Sequence, residues 1–166
     1  LFRSTFDEVA AQFPGTEADY GYIDAFMQWI TRSPEHYDTV VTSNMFGDIS
    51  TDLGAVLQGG MGMAASGNIG DEHAFFEPVH GSAPKHAGQN KVNPIASINS
   101  IQMMMDYLGR KTNDDDLVAI GRLIDESVGD HLKDGTSLTY DIGGTASCSE
   151  VGMSIANRLA DKLKER

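Results

Sequence analysis

Two aspartates four residues apart, Asp48 and Asp52 in the stretch NMFGDISTD, are the first groups in this 166-residue chain whose spacing points to chemistry. They lead into Leu53, Val56 and Leu57, so on a helix both carboxylates leave one face. Such a pair can hold a hard divalent cation, which prefers oxygen ligands and takes one or two carboxylates before a substrate completes its shell. The plainer alternative is structural, with Asp48 after Gly47 as a helix N-cap and Asp52 as a solvated surface charge. A second dense stretch, HGSAPKHAGQNKVNP, runs from His80 to Pro94. Its Gly81, Ser82 and Ala83 let backbone approach a ligand closely. Lys85, His86 and Lys91 form the one compact basic cluster within a loop. Taken alone, His80 reads as a structural loop histidine and Asn93 as a helix cap.

These groups sit in a strongly acidic chain, with a formal net charge of −12. That balance argues against nucleic acid, because a duplex binder presents a net basic face to phosphates. An anionic ligand must therefore be met by a local cluster. The single cysteine, Cys148, excludes an internal disulfide and fits a reducing compartment. No apolar run approaches the roughly 18 residues of a membrane span, and nothing resembles a signal peptide. The composition reads as a soluble, cytoplasmic protein of one domain or a piece of a larger one.

Stepping along the chain, Leu1, Phe2, Thr5, Phe6, Val9, Ala10 and Phe13 recur at helical spacing, so the chain reads as starting inside an element that begins upstream. Pro14 and Gly15 end that helix. A tyrosine-rich strand is predicted over Ala18 to Ile23. Asp24 then caps a helix carrying Phe26, Met27, Trp29 and Ile30, closed by Ser33 and Pro34. The β-branched run Thr39 to Thr42 reads as a buried strand delivering the chain to Asn44. Polar groups at a strand's end, before a helix, are where α/β folds place ligand sites. Five glycines between Gln58 and Gly70 indicate closely packed backbone and a change of domain. Asn93 and Pro94 open a helix ending at Gly109; its three methionines, Met103 to Met105, are packing residues. Asp114 to Asp116 start another, with Leu117, Ile120, Leu123, Ile124 and Val128 as its apolar stripe. Ser147 and Glu150 form a capping box for a last helix bearing Val151, Ile155, Leu159 and Leu163.

Taken together, NMFGDISTD and EPVHGSAPKHAGQNKVNP closely resemble the metal-dependent β-decarboxylating dehydrogenases: isocitrate, 3-isopropylmalate, homoisocitrate and tartrate dehydrogenases. The resemblance runs from YIDAF through VVTSNMFGD, GNIGDEHAFFEPVHGSAP and NPIASI to TYDIGG. It implies an α/β fold, the C-terminal part of a two-domain, three-layer αβα enzyme with a non-Rossmann nucleotide site. Residues 1–58 would belong to the small dimer-interface domain and 59–166 to the large nucleotide-binding domain. Asp24, Asp48 and Asp52 occupy the family's Mg or Mn positions, with Asp24 serving the partner's site in a homodimer. Such an ion grips the hydroxyl and adjacent carboxylate of a malate-type 2-hydroxy acid and assists hydride loss. Oxidation comes first because the β-keto acid is the electron sink for decarboxylation.

The same resemblance assigns the cofactor to Glu77, His80, Gly81, Ser82, Ala83, Pro84, Lys85, His86, Val92, Asn93 and Tyr140. Members using NAD typically carry aspartate after HGSAP, where it accepts from the ribose hydroxyls. Here Lys85 and His86 stand in KHAGQNKVNP, similar to the KYAGQDKVNP pattern of NADP-dependent isocitrate dehydrogenases, and a cation there pairs with a 2′-phosphate. Gly144 stands where that pattern often has arginine, which leaves NADP and NAD both open. CSE at Cys148 to Glu150 leans with that pattern towards isocitrate, whereas TSNMFGD and EPVHGSAP look more like isopropylmalate dehydrogenase. The family's catalytic lysine and tyrosine correspond to no residue here and are expected upstream, so this chain alone is expected not to turn over. Two other readings fit less well. A haloacid-dehalogenase-type phosphohydrolase needs an upstream DxD nucleophile that the chain lacks, and a non-catalytic regulatory subunit has no reason to keep all three aspartates.

Overall fold

The computed structural model describes residues 1–165. Their packing divides into a unit of residues 1–50 and a larger one from Thr51 onward. Among the described residues no helix is long and apolar enough to cross a membrane.

In the first unit, α1 (Phe2–Ala10) and α2 (Ile23–Arg32) are followed by the start of α3 (Asn44–Leu57). Phe26 is buried and stacks edge-on against Tyr37, with ring centroids 4.9 Å apart. The strand predicted over Ala18 to Ile23 is not formed. Tyr20 instead packs on Phe6 at 5.5 Å and lies under the Arg3 guanidinium at 3.9 Å, an aromatic and cation–π cluster. Nor is the Thr39 to Thr42 run a strand, since a strand exists by hydrogen bonding to a neighbour and Val40 and Val41 stay about half exposed. Asp24 is not the cap of α2. Tyr22 holds that place, and Asp24 sits one residue inside the first turn, accepting from the Ala25 N–H at 2.9 Å, where the helix dipole favours a carboxylate. Helix α3 begins at Asn44, four residues ahead of Asp48, so Asp48 is not a cap either.

The second unit holds a short antiparallel hairpin, β1 (Ala65–Ile69) and β2 (Ala74–Pro78), in the register Ala65 to Pro78 and Ile69 to Ala74. It is the sheet of this chain among the described residues. Neither strand was legible as such, because ASGNI has no alternating apolar pattern. Helix α4 (Ile95–Thr112) packs against both strands and against α5 (Asp115–Asp134), which in turn carries α6 (Cys148–Lys164). The core is Met63, Ile95, Val128, Val151 and Ile155, with Ile98, Leu132 and Ala146 packed around it.

Helix α4 runs through Gly109 instead of ending there. A Cβ at Gly109 would lie 2.6 Å from Val118 Cγ2 and 2.7 Å from Val118 N, so this glycine is where α4 and α5 touch. Asn113 in left-handed conformation, φ 54°, makes the actual stop. Asp114 caps α5 by accepting from the Asp116 and Leu117 N–H groups. The Ser147–Glu150 capping box forms as read, and the bonds from the Ser147 hydroxyl and N–H hold the Glu150 carboxyl below its usual range.

His131 lies in this helical layer, 1 % exposed, with Nδ1 3.0 Å from Ser154 Oγ. Burial, and then the Arg158 charge, lower its pKa, against opposing pulls from Asp134 and the Ser137 backbone. The folded chain thus keeps His131 neutral where the unfolded chain, with a histidine pKa of about 6.5, takes up a proton. Stability is complete above that value and falls as the pH drops from it through the depressed folded pKa. His131→Gln flattens that acid-side fall in melting temperature. An unchanged slope between neutral pH and the onset of acid unfolding would remove His131 from the account.

Candidate functional site

The second unit contains a cleft of about 580 Å³ built from four segments: the Gly59–Gly62 turn, the His80–Asn93 loop, Tyr140–Asp141 and Cys148 at the start of α6. That volume is in the range of small-molecule and cofactor sites. Gly59 and Gly60 have φ of 114° and 103°, which a side chain rarely tolerates, and they let backbone form one wall. The loop enters from β2 with Val79 N donating to Ala64 O at 3.1 Å. His80 Nδ1 lies 2.8 Å from the Gly81 carbonyl, which accepts its proton. Ala83 is left-handed at φ 46°, and a 3-10 turn over Pro84–His86 follows.

The far end of the loop is tied to α6 by one residue. Asn90, itself left-handed, accepts from Cys148 N and Ser149 N, at 2.8 and 3.0 Å, and donates Nδ2 to Ser149 Oγ at 2.8 Å. Nothing in the spacing marked Asn90, because its partners lie 59 residues away. Asn93 is 6 % exposed and faces the cleft; Pro94, not Asn93, holds the cap position of α4, and Asn93 Oδ1 accepts from Ile95 N at 3.0 Å from one residue further out.

Of the residues assigned to the cofactor, His80, Gly81, Ser82, Ala83, His86, Val92, Asn93 and Tyr140 line this one cleft. Pro84 and Lys85 lie in the intervening 3-10 turn, with the Lys85 carbonyl accepting from Gln89 Nε2 at 2.7 Å. Glu77 is on β2, paired with Ser66 and exposed. The Tyr140 ring is approached by His86 at 6.2 Å and by Lys91 Nζ at 5.1 Å. Position 144 has no room for a side chain, since a Cβ there would lie 1.9 Å from the Leu138 carbonyl oxygen. The glycine in place of arginine is thus demanded by the local backbone, in which Gly144 N donates to Thr139 O and Ala146 N to Leu138 O.

The aspartates lie elsewhere. Asp48 and Asp52 are exposed and one turn apart on α3, where Asn44 Nδ2 donates to Asp48 Oδ2 at 3.0 Å. Two carboxylates on one helical face are a donor set that Mg or Mn accepts. Among the described residues no three His, Cys, Asp or Glu side chains of one chain converge on a metal position, so Asp24 does not complete the pair within its own chain.

The family model for isocitrate/isopropylmalate dehydrogenase matches residues 1–155. The chain belongs to this family. Its relatives include 3-isopropylmalate dehydrogenase of Thermobifida fusca, 41 % identical over 165 residues that cover 98 % of the chain and 44 % of that protein. Homoisocitrate dehydrogenase of Methanocaldococcus jannaschii is 43 % identical, covering 99 % and 45 % respectively. Among solved structures, isocitrate dehydrogenase from Methylococcus capsulatus superposes with a TM-score of 0.86 at 35 % identity, over 95 % of the chain and 45 % of that protein. A β-decarboxylating dehydrogenase from Thermococcus kodakarensis gives 0.83 at 39 % identity, over 98 % and 46 %. The chain therefore has the α/β fold of the isocitrate/isopropylmalate dehydrogenase family, and it spans less than half the length of these relatives.

Proposed function

We propose that this chain is the nucleotide-binding and metal-binding part of an NAD(P)-dependent, decarboxylating dehydrogenase of malate-type 2-hydroxy acids. The convergence of His80 to Asn93 and Tyr140 on one cleft carries the reading. Residues 1–58 belong to its small interface domain and 59–166 to the nucleotide domain. The protein works as a cytoplasmic homodimer, with Asp24 of one protomer joining Asp48 and Asp52 of the other. Those three side chains would hold Mg or Mn by oxygen alone, the ligand type such hard ions prefer. When bound, the ion supplies the positive charge that polarises the substrate's hydroxyl and carbonyl oxygens.

The sequence lean towards isocitrate is not supported over its alternatives. The relatives named for 3-isopropylmalate and homoisocitrate are 41 and 43 % identical, against 35 % for the isocitrate enzyme. The test is nicotinamide reduction by the complete enzyme with each of the three acids and Mn. Turnover of none of them would overturn the proposal.

For the cofactor, Lys85 and Lys91 put positive charge on the loop, which suits a 2′-phosphate. Lys85→Asp in the complete protein lowers the preference for NADP over NAD by roughly tenfold to a hundredfold, the range of one charge-assisted hydrogen bond. Comparing kcat/KM with the two cofactors decides it. An unchanged ratio would remove Lys85 from the account and leave Lys91, whose Nζ lies 5.1 Å from the Tyr140 ring centroid, as the cation on the loop.

A further inference from the structure

Helix α6 begins with backbone N–H groups that have no carbonyl partner within the helix. Two are met locally, since Ser147 N donates to Glu150 Oε2 at 2.8 Å and Glu150 N to Ser147 Oγ at 3.3 Å. The next two are met from a distant segment: Cys148 N donates to the Asn90 carbonyl at 2.8 Å and Ser149 N to Asn90 Oδ1 at 3.0 Å. Asn90 completes the set by donating Nδ2 to Ser149 Oγ at 2.8 Å. To aim its carbonyl and its side chain at one helix end it takes the left-handed conformation, φ 51°, which asparagine tolerates better than most residues.

The loop on which Asn90 sits is otherwise folded on itself. The N–H groups of His86, Ala87 and Gln89 donate to the carbonyls of Ala83, Pro84 and His86, and Gln89 Nε2 donates to the Lys85 carbonyl. Among the described residues, every hydrogen bond that leaves residues 80–92 is made by Asn90. We infer that Asn90 is a positioning residue: it latches the loop to α6 and holds it in its cleft-lining shape before a ligand arrives. Its consequence for binding rests on the cleft being the nucleotide site proposed above. A loop ordered in advance spares the ligand the entropy of ordering it. Without the latch the turns over residues 83–89 keep their internal bonds but have none to the rest of the protein, and the cofactor must select one arrangement from many. The Asn90 side chain is spent on α6 and not on the reacting atoms, so it acts on cofactor affinity and leaves the chemical step alone.

The test uses the complete enzyme and two variants. Asn90→Gly adopts the left-handed backbone freely and keeps the carbonyl that Cys148 N reaches, but loses both side-chain bonds. Asn90→Asp keeps an oxygen for Ser149 N, and its charge suits a helix N-terminus. Short-pulse hydrogen exchange without ligand reads the latch. In Asn90→Gly the His86, Ala87 and Gln89 amides exchange on the order of tenfold faster than in the parent, the worth of a lost capping contact, while α4 keeps its rates; in Asn90→Asp the parent rates return. Steady-state kinetics reads the positioning. In Asn90→Gly the KM for the nicotinamide cofactor rises on the order of tenfold, with kcat and the KM for the hydroxy acid within about twofold of the parent. A residue that only supports the fold would speed exchange in α4 as well and lower kcat. Loop amides that keep the parent rate in Asn90→Gly overturn the latch, as does an Asn90→Asp protein that exchanges like the glycine variant. Faster loop exchange with an unchanged cofactor KM overturns the positioning role. Cofactor that leaves the loop amides of the native enzyme unprotected overturns the nucleotide reading of the cleft instead, and the ligand-free exchange still decides the latch.

Discussion

Gly144→Ala lowers the melting temperature by about 4–8 °C. The added Cβ would lie 1.9 Å from the Leu138 carbonyl oxygen and 2.4 Å from its carbon, and backbone cannot yield as a flexible side chain does. Relief requires moving the segment that Gly144 N and Ala146 N pin to Thr139 and Leu138. Forced overpacking of this kind costs about 2 kcal/mol or more, and a chain of this size loses roughly 2–4 °C per kcal/mol. The same segment carries Tyr140 and Asp141 into the cleft, so the shape of the cleft is disturbed along with stability. Gly129→Ala and Gly152→Ala are the controls. Both positions are inside helices with nothing within 4 Å of a new Cβ, and alanine there gains up to about 1 kcal/mol of helix propensity. Thermal unfolding of the three variants should therefore split in sign. A Gly144→Ala protein as stable as its parent would mean that this turn has another low-energy path.

In the complete enzyme, Asp48→Asn and Asp52→Asn each lower kcat/KM by on the order of a hundredfold or more. Asparagine keeps the size of the side chain but removes the charge, and a divalent ion gains most of its binding from charged oxygens. The Asn44 bond already directs one oxygen of Asp48 along the helix, which orders the carboxylate before any ion arrives. The loss at subsaturating Mn should be partly restored by raising the Mn concentration, whereas a loss through misfolding would not respond. Asp38→Asn, an exposed carboxylate away from α3, should change nothing. If either α3 variant kept activity within about threefold of the parent at limiting Mn, that aspartate would not be a metal ligand.

The helices of the second unit were legible because their signals are local. Ser147 with Glu150, Asp114 before its acidic turn, and Asn93 before Pro94 each satisfy backbone N–H groups within a few residues, and the apolar positions Val128, Val151 and Ile155 fall where a 3.6-residue period puts them. Gly109 misled for the opposite reason. Its meaning is set by Val118 on the next helix, and a glycine at a helix contact has the same letter as a glycine at a helix end.

From its order of residues alone, then, this chain specified its family, its carboxylate pair on one helical turn and most of the loop that faces the cleft, because motif and period are properties of neighbouring residues. Tertiary structure decided the rest. It joined Asn93 to Asp141 across 48 residues and Asn90 to α6 across 59, formed the β1–β2 hairpin from segments without strand patterning, and left the Thr39–Thr42 run without a ladder. Those outcomes depend on which backbone donors and acceptors meet in space, and no local pattern encodes a meeting between distant segments.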